Sequence, residues 1–295
     1  MQTPEQAPGA TPSSGPVADP LVDELLALAR ATAAEAAGLV AAGRATAADD
    51  VQPKSSPVDV VTAVDRACEE LVVRRLLAAR PDDGVLGEEG AAREARAPRA
   101  GDGTGRVRWV VDPIDGTVNF LYGVPAYAVC IAAELDGVAV AGVVHNAATG
   151  EVFSAARGRG AWREAPGAAP SRLTGRAPTT LDLALVGTGF GYAAGLRRRE
   201  GAIVADLLPL VRDVRRYGSA ALEMCEVAAG RLDAFYELDL HRWDHAAAAV
   251  VVREAGMVVT GLPGRPVGEP MVVAAGPTLA GPLVELLDRL CAEHP

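Results

Sequence analysis

Aromatic residues are scarce in this 295-residue chain, at 4%, so its core has to be built from Ala, Val and Leu. Hydrophobic residues still make up 49% of the sequence, enough to bury a large core. Positive charge is also in short supply. The formal net charge is −10, which excludes the clustered positive surface that nucleic-acid binding requires. There are only four cysteines, Cys68, Cys130, Cys225 and Cys291, and none lies in a CxxC or Cys/His cluster. Zinc sites and redox motifs therefore find no support, and reduced thiols in a cytoplasmic protein are expected. Residues 1–20 have neither the basic start nor the apolar stretch of a secretory signal. No uninterrupted apolar run is long enough to cross a bilayer. Internal repeats are absent.

The chain does contain several regular segments. Proline falls at 4, 8, 12, 16 and 20 amid Ala, Ser, Thr and Gly, so residues 1–20 read as a disordered extension. Leu21, Leu25, Leu26, Ala29, Ala33 and Ala36 follow helical spacing and predict a helix over 21–43. A loop with Lys54-Ser55-Ser56-Pro57 follows, then a short extended piece at 58–61, a helix over 62–80 and a short strand at 85–87. Residues 91–105 carry no core pattern and read as a surface loop. A strand at 107–111 is expected, then several strands from 126 to 162 with a hairpin at Asp136-Gly137. Beyond a Pro/Ala/Gly-rich connection at 164–178, strands and helices alternate to the end. The class is α/β (α+β) with layered sheets. One domain is expected over 21–295, with an N-terminal half of about 21–165 and a C-terminal half of about 175–295.

The most informative stretch is Val110-Val111-Asp112-Pro113-Ile114-Asp115-Gly116-Thr117. Two carboxylates stand three residues apart at the end of an apolar strand, with a proline between them that breaks the sheet ladder. The glycine and hydroxyl residue that follow can open a helix. Such a turn brings hard oxygen ligands and helix N-terminal amides to one point, the arrangement used in metal-assisted phosphate chemistry. Glu88 at a strand end, Asp65 in Val-Thr-Ala-Val-Asp and Asp244 at the start of an apolar helix are further acids in apolar settings. Cations would offset the cost of burying them together. Taken singly, each has an ordinary reading. Asp115-Gly116 is a turn, Glu88-Glu89 a solvated pair, Asp244 a helix N-terminal acid, and Asp65 and Lys54 surface residues.

Taken together, these residues resemble the inositol monophosphatase family of magnesium-dependent, lithium-sensitive phosphatases. The blocks that carry the resemblance are Lys54–Asp65, Gly87-Glu88-Glu89, Trp109–Phe120, and Trp243-Asp244 with Glu254-Ala255-Gly256, over roughly residues 21–292. The resemblance implies a layered αβαβα sandwich of the inositol monophosphatase/fructose-1,6-bisphosphatase type, and a homodimer. It implies two to three Mg2+ ions per site. Glu88, Asp112 and the Ile114 carbonyl would hold the first, and Asp112, Asp115 and Asp244 the second. Glu88 would reach a third through water. Thr117, paired with Asp65, would orient and deprotonate the attacking water. The Gly116 and Thr117 amides would hold phosphate.

On the substrate side the resemblance points to Ser219, Ala220 and Glu237, with Asp244 alongside. Glu237 as an acceptor of vicinal hydroxyls favours a small phosphorylated polyol, and neither a nucleic acid nor a membrane partner is expected. Val118 and Asp239 depart from the family's pattern; Asp239 adds an acid beside the pocket. The expected reaction is hydrolysis of myo-inositol monophosphate by direct attack of water. Histidinol phosphate, fructose 1,6-bisphosphate and 3′-phosphoadenosine compounds are alternatives. A bisphosphate would need a second cationic anchor, for which Arg93, Arg96, Arg99, Arg106 or the Arg197–Arg199 run are candidates. A non-catalytic regulatory protein of the same fold is a different class of reading.

Overall fold

The computed structural model describes residues 20–45, 51–56, 59–95, 106–176 and 180–295. The expected N-terminal extension lies outside these residues apart from Pro20, as does most of the 91–105 loop. Helix α1 (Pro20–Gly43) buries one stripe, including Val22, Leu25, Ala29, Ala33, Ala36 and Val40. A hairpin follows where the sequence predicts a loop around Lys54: β1 (Val51–Ser56) pairs antiparallel with β2 (Asp59–Thr62). Pairing, not apolar alternation, makes the residues of β1 extended. Helix α2 (Ala63–Ala79) opens with a capping box. The Thr62 side chain accepts from the Val64 and Asp65 N–H groups, and Asp65 accepts from the Thr62 N–H at 2.9 Å.

Eight strands then form the first sheet. They are β3 (Gly84–Gly87), β4 (Ala92–Arg93), β5 (Val107–Asp115), β6 (Ala128–Leu135), β7 (Val138–Asn146), β8 (Val152–Ala156), β9 (Gly160–Glu164) and β10 (Ser171–Leu173), in spatial order β10-β9-β8-β7-β6-β5-β3-β4. Both edge strands lie in segments read from sequence as loop or connection, and each has at most three residues. The β6–β7 turn places Asp136 at φ 51° and Gly137 at φ 82°, as its Asp-Gly pair predicts. Strand β5 does not stop at Val111. It runs through the acidic motif to Asp115, and its register against β6 shifts between Asp112, opposite Cys130, and Asp115, opposite Ala128. Gly116, at φ 92°, turns the chain into the short helix α3 (Thr117–Tyr122).

In the second half, β11 (Leu185–Thr188), α4 (Ala194–Leu207), β12 (Asp213–Arg215), α5 (Ala220–Ala228), β13 (Ala234–Leu238), α6 (Arg242–Glu254), β14 (Val258–Thr260), β15 (Met271–Ala275) and α7 (Pro277–Glu293) follow in turn. The five strands order as β12-β11-β13-β15-β14, with β11 parallel to β12 and β13. The elements stack as helix, sheet, helix, sheet, helix. Helices α1 and α2 cover one face of the first sheet, α5 and α6 lie between the sheets, and α7, with α4 packed on it, covers the second. One buried cluster fills each outer space between helices and sheet, and a third takes in both faces of the middle helices. By length and composition α1 is apolar enough to cross a membrane, although Asp23, Glu24, Arg30 and Glu35 interrupt it; here its apolar stripe packs on the first sheet. The middle layer is tightest where β7 meets α6. A Cβ at Gly142 would lie 2.3 Å from the Ala247 carbonyl oxygen.

Candidate active site

Strand β5 delivers Asp112 and Asp115 to the middle layer, where both are buried. Asp112 folds back on its own turn, accepting the Ile114 N–H on Oδ1 at 3.0 Å. Asp115 sits at the N-terminus of α5. It accepts the Ser219 hydroxyl at 2.5 Å, the Ala221 N–H at 2.8 Å and the Ala220 N–H at 3.3 Å. These bonds favour its charged form, but burial outweighs them and pushes the carboxyl up to about 6. Asp112 is pushed well above the usual carboxylate range, first by burial and then by the charges of Glu88, Asp115 and Asp244.

Glu88 and Asp244 come from elements far apart in sequence. Glu88 follows β3, with its N–H on the Val111 carbonyl at 3.2 Å. Its turn is held by Glu69 of α2, which accepts from the Glu89 N–H at 2.8 Å and the Ala91 N–H at 2.9 Å. Asp244, in the first turn of α6, accepts the His241 N–H at 2.6 Å. The start of α6 is fixed by Arg242, whose guanidinium meets the fully buried Glu134 of β6 at 2.6 Å. Arg108 of β5 meets the other oxygen of Glu134, also at 2.6 Å. One buried carboxylate thus ties the strand of Asp112 to the helix of Asp244.

Asp65 lies behind the motif and is fully buried. Its Oδ1 accepts the Thr117 hydroxyl at 3.2 Å, while Oδ2 accepts the Thr62 N–H and hydroxyl. The Thr117 hydroxyl also lies 3.1 Å from the Ile114 carbonyl. Asn119 of α3 bridges the halves, donating to the Ala126 carbonyl at 2.8 Å and the Tyr217 carbonyl at 2.7 Å. The Tyr217–Gly218 turn is in turn held by Glu223 of α5, which accepts both N–H groups.

Glu88, Asp112, Ile114, Asp115, Gly116, Thr117, Ala220, Glu237 and Asp244 all line one cavity of about 410 Å³. Asp65 and Ser219 do not; they stand behind Thr117 and Asp115. Glu237, at the end of β13, is pushed well above the usual range by burial and by Glu223, Asp244 and Asp115, with Arg216 acting against them. Asp239, at φ 59°, lies on the cavity wall as well. Sequence reasoning missed Glu69, Glu134, Glu223 and Arg216. Their partners lie close in sequence only for Glu223, so apart from an acid in an apolar helix no local pattern marks them.

The convergent acids and backbone carbonyl form a set suited to hard cations such as Mg2+; the His241 ring, which also lines the cavity, stacks on Trp243. Burial first, and then the neighbouring carboxylates, raise Asp112, Asp115 and Glu237, so a cation placed among them would favour their charged forms. Among the described residues no three His, Cys, Asp or Glu side chains hold an ion as they stand.

The inositol monophosphatase family model matches residues 21–294. Inositol-1-monophosphatase SuhB of Mycobacterium tuberculosis H37Rv is 46% identical over 274 residues, covering 92% of each chain. The solved structure of Mycobacterium tuberculosis SuhB aligns at a TM-score of 0.76 and 43% identity, covering 91% of this chain and 97% of that one. A relative from Pseudomonas aeruginosa PAO1, 40% identical over 213 residues and covering 70% of this chain and 73% of its own, is named Nus factor SuhB. With the layered fold and the cavity acids in place, the chain belongs to the inositol monophosphatase family.

Proposed function

We propose that the protein is a magnesium-dependent phosphomonoesterase that hydrolyses myo-inositol monophosphate to inositol and phosphate. The observation that carries this reading is the meeting of Glu88, Asp112, Asp115 and Asp244 in one cavity with Thr117 and Glu237. Glu88, Asp112 and the Ile114 carbonyl would hold a first ion, and Asp112, Asp115 and Asp244 a second. A third would be held by Glu88 through water. Bound magnesium supplies the positive charge that polarises the phosphoryl group, acidifies water and neutralises the leaving alkoxide.

The protein's own residues do the rest. The Gly116 and Thr117 amides at the cavity wall hold phosphate oxygens. Thr117 takes a proton from the attacking water and passes its own to Asp65, whose Oδ1 already accepts that hydroxyl. The water oxygen bonds to phosphorus as the bond to the alcohol oxygen breaks, and the departing alkoxide takes a proton from solvent water to leave as the alcohol. Glu237 and Asp244 accept hydroxyls of the departing polyol, beside Ala220, while Ser219 keeps Asp115 in place. The same reading makes the protein a cytoplasmic homodimer. Its four cysteines are free and buried, in keeping with a reducing compartment.

Arg216 is the one arginine lining this cavity among the described residues. Arg93 donates to the Pro81 carbonyl and Arg199 to the His294 and Cys291 carbonyls. Arg96 and Arg99 lie outside the described residues; among those described, no second cluster of cations lines the cavity, which favours a monophosphate.

The test is phosphate release from inositol 1-phosphate, histidinol phosphate, fructose 1,6-bisphosphate and 3′-phosphoadenosine 5′-phosphate, with and without Mg2+ and Li+. Inositol 1-phosphate should be turned over fastest, and only with Mg2+. Asp112→Asn should lower kcat on the order of a thousandfold while the fold persists. Undiminished turnover in that variant would defeat the mechanism, and a preference for histidinol phosphate would defeat the substrate assignment. No turnover of any ester would favour the regulatory reading that the name of the Pseudomonas relative brings to mind.

A further inference from the structure

The loop after β11 forms the wall of the cavity opposite the carboxylate motif. Gly189, Phe190, Gly191 and Tyr192 line it, alongside Glu237 and Asp239. Its backbone supports the alcohol side of the site: a Cβ at Gly189 would lie 2.1 Å from the Glu237 carboxylate, so that carboxylate rests on bare backbone. The loop's own position is set from behind by the first turns of α4. Glu200, only 2% exposed, accepts the Gly191 N–H with both oxygens, at 3.0 and 3.2 Å. Arg197, one turn earlier, donates from Nε to the Gly191 carbonyl at 2.8 Å. Leu196 closes over the remaining face, 2.3 Å from where a Gly191 Cβ would stand.

Both polar groups of one loop residue are thus clamped by two side chains of one helix. The loop otherwise spans the gap between β11 and α4 without joining either sheet. We propose that Glu200 and Arg197 are positioning residues that fix the Phe190–Tyr192 wall and so set which alcohol the site accepts. This rests on the phosphomonoesterase reading above. It also accounts for part of the Arg197–Arg199 run. Arg197 is committed to the loop backbone and not to a second phosphate.

The expected signature separates the two sides of the substrate. Glu200→Ala should raise KM for inositol 1-phosphate about tenfold with kcat changed less than about twofold, because the phosphate side is untouched. The inhibition constant for inorganic phosphate should not move. Glu200→Gln, which keeps an acceptor for the Gly191 N–H, should restore most of the loss. Amide exchange over 189–193 should quicken in the Ala variant and not in the Gln variant. Equal shifts in KM and in phosphate inhibition, or unchanged exchange over 189–193, would overturn the proposal. If Glu200→Ala does not fold, Arg197→Ala on the exposed helix surface decides: a rise in KM of about threefold supports the clamp, and an unchanged KM refutes it. A wild-type chain with no activity on inositol 1-phosphate would defeat the phosphatase reading alone, and the exchange measurement would still decide the clamp.

Discussion

Single carboxyl groups set the pH behaviour of this protein. Burial holds Asp115 up at about 6 and Glu223 at about 8, whereas unfolded carboxyls titrate near ~4. Between those values the folded chain binds more protons than the unfolded one. The stability these groups contribute is complete below about 4 and is lost as pH rises through 6 and then 8. The metal-free protein should therefore melt lower at pH 8.5 than at pH 5, by about 5 °C or more. Millimolar Mg2+ should remove the part of that slope that belongs to Asp115, because a cation favours the charged carboxylate, and leave the part that belongs to Glu223, which does not line the cavity. A flat metal-free profile, or a slope indifferent to Mg2+, would contradict this account of the site. The residues responsible were unequally visible beforehand. Asp112, Asp115, Glu88 and Asp244 stand in compact motifs. Glu134, by contrast, meets Arg242 across 108 positions, and no local pattern records such a pair.

Among whole elements, long helices and apolar strands were legible because periodicity and caps agree: the 21–43 spacing falls on α1 and Ser219 caps α5. The first strand of the hairpin around Lys54 and the edge strands β4 and β10 were not, because partners alone make such short pieces extended, whereas the apolar 58–61 run marked the hairpin's second strand. The contact between β7 and α6 was equally hidden, since a strand glycine carries no label naming the backbone it touches. Gly142→Ala should destabilise the protein by about 1–3 kcal/mol or more, since the obstacle is the Ala247 carbonyl and not a side chain that can swing away. Activity should fall with stability, because α6 carries Asp244. Gly38→Ala makes the matched control. It lies exposed inside α1 with nothing within 4 Å of its Cβ position, so it should stabilise by about 0.5–1 kcal/mol. Urea titrations of the two variants would show the opposite signs.

For the whole molecule, the middle layer determines cooperativity. One buried cluster joins Val110, Ala128 and Val144 of the first sheet to Met224 and Val251 of the helices and Phe235 and Ala274 of the second sheet. Neither half can lose its partner without exposing that surface. Calorimetry should accordingly give a single transition whose calorimetric and van't Hoff enthalpies agree. Two resolved transitions would show that the halves about the 164–178 connection fold independently.

The shifted register of β5 has an arithmetic consequence. Along a regular strand, positions an odd number apart face opposite sides, so residues three apart would be divided between two layers. Opposite Asp112 and Asp115, β6 advances only from Cys130 to Ala128, two residues against three. The extra residue changes odd to even, and both acids face the middle layer while Ile114 joins the cluster beneath α1 and α2. Pairing these residues one for one with β6, without the extra residue, would leave every acid in the sequence and still turn one of them into the wrong core. The chain stores its active site in a count of residues as much as in their identity.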